Sequence, residues 1–190
     1  MIGHLGIDYG AKLSGNTVIC HERNQQLEFI QCDKKKDADL FLSKIFQDLS
    51  SNLVFFDAPL SLPGAYFGRG DSFHYRACDR LTSAMSPMFL GGLTARAIKL
   101  KNDFPELEFH ETYPSYFVKQ VLKTPQSYNK KSKNLSPFIK LLSKKYPIKF
   151  RRTPENWHQI DAAICWISGN RYLKQEHLAV GEPSEGLIVI

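Results

Sequence analysis

Four large apolar residues in a row, LVFF, occupy positions 53–56 and are followed at once by Asp57. A short apolar run of this length predicts a strand that is covered on both faces, as in the centre of a sheet that lies between helices. Pro59 and Pro63 then predict an extended loop, because the residue before a proline avoids the helical conformation. The chain is therefore expected to be an α/β protein with residues 53–57 as a central strand.

Further strands and helices follow from the hydrophobic periodicity around this run. Val, Ile and Phe dominate the predicted strands, and apolar residues recur at helical spacing in the predicted helices. The predicted strands are 4–9, 17–22, 27–32 and 107–111, with 187–190 as a closing strand or packed tail. Four predicted helices cover residues 37–49, 93–100, 116–122 and 137–146, and in the last of these Ser136 is the expected cap and Pro137 the first helical residue. A fifth predicted helix is buried; it begins at Thr153-Pro154-Glu155 and ends at about residue 174. With 190 residues, of which 43% are hydrophobic, the chain is expected to form a single domain over 1–190.

The Gly-rich segment 64–92 is expected to be irregular. It is too long for a simple connection between two elements, which favours a functional loop or lid inserted into the domain.

Four cysteines, Cys20, Cys32, Cys78 and Cys165, lie far apart without metal-binding or disulfide-framework spacing. They are expected to be reduced, buried thiols. The N-terminus lacks the pattern of a secretory signal, and no stretch approaches the ~18 apolar residues of a membrane span. We therefore expect a cytoplasmic protein with no membrane partner.

Charge is unevenly distributed along the chain. The net charge is +6, yet no acidic residue lies between Glu111 and Glu155, where eleven lysine and arginine residues occur. Aromatic residues are interleaved with these cations, and this combination favours binding of nucleic acid by the basic helical segment 112–154. The alternative is a solvated surface that confers solubility. The residues expected to contact phosphates are Lys130, Lys131, Lys133, Arg151 and Arg152.

Four acidic residues occupy positions where an ionised carboxylate is costly: Asp8, Asp57, Glu111 and Asp161. Taken singly, each is expected to find an arginine, a helix N-terminus or backbone donors. Taken together, strand-end acids and an acid on the last helix can meet at one sheet edge, where the usual neutralising partner is a hard divalent cation. The expected cofactor is therefore Mg²⁺ or Mn²⁺, as one or two ions, and two such ions catalyse hydrolysis of phosphodiester bonds.

Six segments in order carry a resemblance to a known family: GIDYG, VFFDAPLSLP, RACDR, HETYPS, IDAAICWISG and GEPSEGLIVI. They resemble an uncharacterised prokaryotic family described as predicted RNase H-like nucleases, within the ribonuclease-H-like superfamily that includes Holliday-junction resolvases and transposases. The resemblance covers nearly the whole chain. It implies a mixed five-stranded sheet with a βββαβαβ core and helices on both faces.

The resemblance also implies roles for individual residues. Asp8, Asp57 and Asp161 match the metal-binding acids, with Glu111 as a fourth. Arg76, Asp79 and Arg80 belong to the RACDR motif, in which an arginine either holds a phosphate or neutralises an acid. Arg76 and Arg80 are therefore expected to contact nucleic acid. The resemblance is also compatible with a homodimer, because the junction-cleaving enzymes of the superfamily act as dimers.

The last helix departs from the resolvase pattern, which often has two acids where this chain has one. His158 lies one turn before Asp161 and is a candidate for compensating this loss, although a histidine at a helix start is usually a cap or a surface residue.

Two other functions are compatible with the sequence. The segment GIDYGAKLSGNT resembles the first phosphate-binding hairpin of actin-like phosphotransferases, which favours a phosphotransferase or hydrolase acting on a small phosphorylated substrate. Such proteins pair two domains around the nucleotide, and the sequence has neither a second half nor a P-loop. The other alternative is a non-catalytic nucleic-acid-binding module in which the acids are structural.

Overall fold

The computed structural model describes residues 3–47 and 52–190. This part of the chain contains seven strands and seven α-helices. The strands are β1 (His4–Asp8), β2 (Val18–Arg23), β3 (Gln26–Gln31), β4 (Leu53–Asp57), β5 (Glu108–Glu111), β6 (Ala179–Glu182) and β7 (Gly186–Val189). The helices are α1 (Ala38–Gln47), α2 (Ala77–Thr82), α3 (Pro87–Leu90), α4 (Gly92–Asp103), α5 (Pro114–Phe117), α6 (Leu135–Lys145) and α7 (Trp157–Leu173).

The strands form one mixed sheet in the order β3-β2-β1-β4-β5-β7-β6. The neighbours β3, β2 and β1 run antiparallel to one another, whereas β4 runs parallel to β1, β5 to β4 and β7 to β5. The predicted α/β class is confirmed. The predicted number of five strands is wrong, because β7 and its antiparallel neighbour β6 extend the sheet beyond β5. Predicted strand limits differ from the observed ones by a residue or two, as at β5, which begins at Glu108 rather than at residue 107.

Helix α7 lies directly on the middle of the sheet. A Cβ atom on Gly6 of β1 would lie 2.2 Å from the backbone nitrogen of Trp166, so only glycine allows this close approach. The predicted burial of the helix is confirmed, since Ile160 to Gly169 are all buried. Its predicted start at Thr153-Pro154-Glu155 is wrong. Asn156 is the N-cap, because its side chain accepts a hydrogen bond of 3.0 Å from the Gln159 backbone.

Helices α1 and α4 cover the opposite face of the sheet. Leu42 and Phe46 of α1 and Ala97 and Leu100 of α4 share one buried cluster with the β1 and β4 side chains that point away from α7. Asp37 caps α1 by accepting a hydrogen bond of 2.9 Å from the Asp39 backbone. The predicted helix 37–49 thus begins one residue later, and residues 48 and 49 lie outside the described residues.

Segment 64–92 is more regular than predicted. It contains a 3-10 turn (Gly64–Phe67), α2 and α3, and it leads directly into α4. Ser86 caps α3 by accepting a hydrogen bond of 3.1 Å from the Met88 backbone. The prediction of an irregular loop is therefore wrong in its secondary structure, because local caps organise the segment into short helices.

The basic segment 112–154 is mostly helical, although its elements differ from those predicted. Helix α5 continues into a π-helical turn (Val118–Leu122), and two 3-10 turns, Pro125–Ser127 and Ser132–Asn134, precede α6. Helix α6 begins at Leu135, so the predicted cap Ser136 and first residue Pro137 lie inside its first turn, because the preceding 3-10 turn leads straight into it.

All four cysteines are buried and unpaired. Among the described residues, no helix combines the length and the apolar character needed to span a membrane.

Candidate active site

The carboxyl ends of β1 and β4 bring two acids side by side. Asp8 and Asp57 are register partners in these parallel strands, so their side chains point to the same face of the sheet. On that face lies α7, which carries Asp161 near its N-terminal end. Burial raises the pKa of Asp57, and the negative charges of Asp8 and Asp161 raise it further, so the three carboxylates interact electrostatically.

Asp8 has a histidine as its partner. Its Oδ2 lies 2.7 Å from Nδ1 of His158, in the first turn of α7. Burial raises the pKa of Asp8, and the hydrogen bond and charge of His158 oppose that shift. In turn, the hydrogen bond to Asp8 raises the pKa of His158. His158 therefore orients and partly neutralises one member of the cluster.

Asp161 is held by two residues of the loop between α5 and α6. Lys130 Nζ donates a hydrogen bond of 2.7 Å to its Oδ2, and the hydroxyl of Tyr128 donates to its Oδ1. Burial, followed by the charge of Asp8, raises the pKa of Asp161 to about 6, against the effects of Lys130 and Tyr128. Lys130 is thus the internal counter-ion of Asp161.

Asp57 differs from its two neighbours because it has no such partner. Within residues 3–47 and 52–190, no group donates a hydrogen bond to the Asp57 carboxylate or forms an ion pair with it. Burial raises the pKa of Asp57 well above its ordinary value, and the charges of Asp8 and Asp161 add to the effect. Asp57 is half-buried and lines a cleft, so its carboxylate still meets solvent, but the two neighbouring negative charges disfavour its ionised form.

Glu111, at the end of β5, is paired with an arginine. Arg76 donates two hydrogen bonds of 2.7 Å, from Nη1 to Oε2 and from Nη2 to Oε1 of Glu111. The Leu60 backbone adds a third, of 3.0 Å, to Oε2. Both carboxylate oxygens are therefore occupied, and the expected role of Glu111 as a fourth metal ligand would require this bidentate pair to open.

Arg76 is fully buried, with 0% of its surface exposed. Besides Glu111 it contacts Asp79, with Nη2 and Oδ1 2.7 Å apart, and Ser61, with Nη1 and Oγ 2.9 Å apart. Burial opposes the positive charge, but the hydrogen bonds and charges of Glu111 and Asp79 outweigh it and raise the pKa of Arg76. The predicted contact of Arg76 with nucleic acid is corrected accordingly: its place in the fold is that of a counter-ion between two buried acids.

A cleft of about 280 Å³ opens over these strand ends. Asp8, Asp57 and Glu111 line its polar part, and apolar side chains of segment 64–92 and α4, such as Met85 and Leu93, line the rest. The segment expected to be a functional loop or lid thus forms one wall of the cleft.

The other residues expected to contact nucleic acid are at the surface. Lys131, Lys133 and Arg152 are exposed. Arg151 is exposed and pairs with Glu28, with 2.9 Å between Nη1 and Oε1. Arg80 is also exposed and donates a hydrogen bond of 2.8 Å to Ser72. Lys130 differs, because its ammonium group is bound to Asp161.

The aromatic rings of the basic segment are buried or half-buried and pack towards the core. Phe117 and Phe138 are fully buried, and the partly buried rings pack against the same core cluster. These partly buried rings are Tyr113, Tyr116, Tyr128, Tyr146 and Phe150. The interleaving of rings and cations, which favoured nucleic-acid binding by this segment, instead reflects an amphipathic arrangement with rings inside and cations outside.

Sequence reasoning missed two contributors to the cluster. Lys130 is one of the residues expected to contact phosphates, and Tyr128 is one of the aromatic residues interleaved with the cations, yet both contact Asp161. Their separation from Asp161 by about thirty residues leaves no local signal for this pairing.

No three histidine, cysteine, aspartate or glutamate side chains among the described residues are already close enough together to hold a metal ion. The chemistry of the donors nevertheless fits a hard divalent cation, since the cluster offers carboxylate oxygens and one of its members, Asp57, has no partner. Lys130 supplies the positive charge within the cluster.

Comparisons of the chain with protein-family models, with curated proteins and with solved structures find no match.

Proposed function

We propose that this protein is a nuclease that hydrolyses phosphodiester bonds with the help of Mg²⁺ or Mn²⁺. The observation that carries the proposal is the Asp57 carboxylate, which lies without a partner beside two further carboxylates, Asp8 and Asp161. A divalent cation removes the repulsion within such a cluster and is retained by it.

The proposal includes a ribonuclease-H-like architecture for the core. Five strands in the order β3-β2-β1-β4-β5, the first three antiparallel and the next two parallel to β1, support it. So do the positions of the acids, on the first strand, on the fourth strand and on the last helix. The hairpin of β6 and β7 is then an addition at the edge of that core.

In this mechanism Asp8, Asp57 and Asp161 would hold one or two divalent ions. The chemistry supplied by such ions would be activation of a water molecule and stabilisation of the leaving oxygen of the phosphodiester. His158 keeps the Asp8 carboxylate oriented, and Tyr128 does the same for Asp161. The role of the chain is to hold these oxygen atoms in place before substrate arrives, which is the protein's usual contribution in such sites.

Arg76 and Glu111 support the site without taking part in the chemistry. Their bidentate pair joins α2 to the end of β5, and Asp79 completes it on the helix side. This pair fixes segment 64–92 against the sheet and thereby sets the shape of the cleft.

Binding of the substrate backbone is assigned to exposed cations. Lys131 and Lys133 lie in the same loop as Lys130, and Arg152 lies in the chain that leads to α7. Contacts of this kind neutralise phosphates without reading sequence, so binding is expected to weaken steeply as salt is raised.

The test is cleavage of a panel of RNA, DNA, hybrid and branched substrates in the presence of Mg²⁺ or Mn²⁺. Asp57→Asn and Asp8→Asn should abolish cleavage but keep nucleic-acid affinity, whereas the exposed control Asp33→Asn should keep both. Cleavage that survives in both site variants would refute the proposal. Binding without any cleavage by the wild-type protein would instead support a non-catalytic module, and neither binding nor cleavage would favour a small phosphorylated substrate.

A further inference from the structure

The exposed rings of this protein are concentrated in segment 64–92, outside the basic segment. Four aromatic side chains there are largely open to solvent: Phe89 is 65% exposed, Phe67 60%, Phe73 52% and Tyr66 45%. Large aromatic side chains are normally among the most buried residues, so a group of exposed rings calls for a partner. We call this group, together with His74 and Tyr75, the ring surface.

The rings of this surface contact one another. Tyr66 and Phe73 meet edge to face with their centroids 5.4 Å apart. Phe89 stacks on His74 at 5.7 Å and meets Tyr75 edge to face at 6.0 Å. The two groups of rings are joined along the chain by the consecutive residues 73–75.

Two arginines accompany the rings. The guanidinium of Arg69 lies 5.5 Å from the centre of the Phe67 ring, and that of Arg80 lies 5.7 Å from the centre of the Tyr75 ring. Both arginines are exposed. A ring with a guanidinium beside it offers a flat apolar face and a positive charge together.

The ring surface is held rigidly although its rings are exposed. Glu185, in the turn between β6 and β7, accepts hydrogen bonds of 2.8 Å from the Gly64 backbone and 2.9 Å from the Ala77 backbone. Ser72 accepts from Arg80 at 2.8 Å, and Ser86 donates to the carbonyl oxygen of His74. Binding therefore requires little ordering of the segment, which favours affinity.

The ring surface adjoins the candidate active site. Phe89 belongs to α3, whose next residue, Leu90, lines the cleft with Asp8 and Asp57. The ring surface and the cleft therefore meet at α3.

From these observations we infer that the ring surface binds the unpaired bases of a single-stranded nucleic acid and leads its backbone into the cleft. Flat bases stack on exposed rings in a sequence-tolerant way, and the phosphates complement Arg69 and Arg80. A regular duplex has its bases stacked inside and cannot offer them. The inference rests on the proposed nuclease function and narrows its substrate to single strands or unpaired regions.

The experiment separates base stacking from phosphate binding and from catalysis. Fluorescence anisotropy is measured with the full chain carrying Asp57→Asn, in EDTA, on a thymidine oligonucleotide, on an abasic strand of the same length and on a duplex. The thymidine strand should bind more tightly than the duplex. Phe89→Ala should weaken binding of the thymidine strand about fivefold or more, which corresponds to the loss of one stacked base, and should change binding of the abasic strand less than about twofold.

Two further variants complete the design. Phe89→Leu keeps an apolar side chain without a ring and should lose nearly as much affinity as Phe89→Ala. The control Leu173→Ala changes an exposed residue at the far end of α7, about 18 Å along the helix from Asp161, and should have no effect.

Three results would overturn the inference: equal losses on the thymidine and abasic strands, recovery of affinity by Phe89→Leu, or no loss with Phe89→Ala. A different result would refute the proposed nuclease function. Ring-dependent binding by a wild-type protein that cleaves nothing would support the ring surface and refute the nuclease. Cleavage by the wild type, together with unchanged binding in Phe89→Ala, would support the nuclease and refute the ring surface.

Discussion

Replacing Asp57 with asparagine should stabilise the metal-free protein at pH 7, although it removes a group that we place in the active site. Adjacent strands lie about 4.8 Å apart, and two unit charges about 5–6 Å apart repel by roughly 3 kcal/mol at an effective dielectric constant of about 20. Asp57 faces Asp8 and Asp161, whereas Lys130 and His158 are bound to those two neighbours and offset part of the repulsion. The expected gain is on the order of 1–3 kcal/mol, and each kcal/mol raises the melting temperature of a chain of this size by about 2–4 °C.

The measurement is thermal and urea unfolding of the wild type and Asp57→Asn in EDTA, repeated in a Mn²⁺ titration. Added Mn²⁺ should raise the melting temperature of the wild type and raise that of Asp57→Asn much less, because an ion stabilises the folded state by RT ln(1 + [L]/Kd) and the variant binds it more weakly. Asp33→Asn removes an exposed carboxylate and should change neither curve. A lower melting temperature for Asp57→Asn in EDTA would show that the carboxylate is satisfied in the fold, and our reasoning about the cluster would then be wrong.

Three further predictions concern the parts of the fold that support the site. Arg76→Met should destabilise the protein by about 3–5 kcal/mol in urea unfolding, because it leaves the buried Glu111 carboxylate without its counter-ion. Gly6→Ala should cost about 3 kcal/mol in the same assay, because a Cβ atom there collides with the backbone of Trp166, which cannot move aside without shifting α7. Burial lowers the pKa of His4, so its contribution to stability is present above the ordinary histidine pKa of about 6.5 and is lost as the pH falls from there through its lowered folded value. When the pH is lowered from 7.5 to 5.5, the melting temperature of His4→Gln should therefore fall less than that of the wild type.

The elements that sequence patterns predicted well are those with a strong and local hydrophobic signal. The run at β4 and the buried helix α7 belong to this class, since residues 53–56 and the middle of the helix, residues 162–169, are all apolar or small. Strand β6 could not be predicted in this way. Its residues are half-buried or exposed, and its place depends on pairing with β7 at the edge of the sheet.

The meeting of Asp8 and Asp57 could be predicted because parallel strands end at the same edge of a sheet. The surroundings of the acids could not. Arg76 lies in a Gly-rich stretch that suggests an exposed residue, and its burial depends on Glu111, which is 35 positions away. Likewise, Phe138 and Leu142 share one face of α6, a spacing that signals a buried stripe as readily as a stacking surface.

The charges of the cluster are fixed to different degrees. Asp161 is only 2% exposed and belongs to a helix packed along the sheet, whereas the Lys130 side chain is 54% exposed and reaches it from a loop. The carboxylates therefore cannot leave the cluster without disturbing the core, but the ammonium group can leave it by rotation of a side chain at the surface. Because Asp57 has no counter-charge of its own, a divalent ion bound as we propose would contact Asp57 as well as the carboxylate oxygen that Lys130 releases. This difference between a fixed set of negative charges and an exchangeable positive one favours entry of a cation over a permanent internal ion pair.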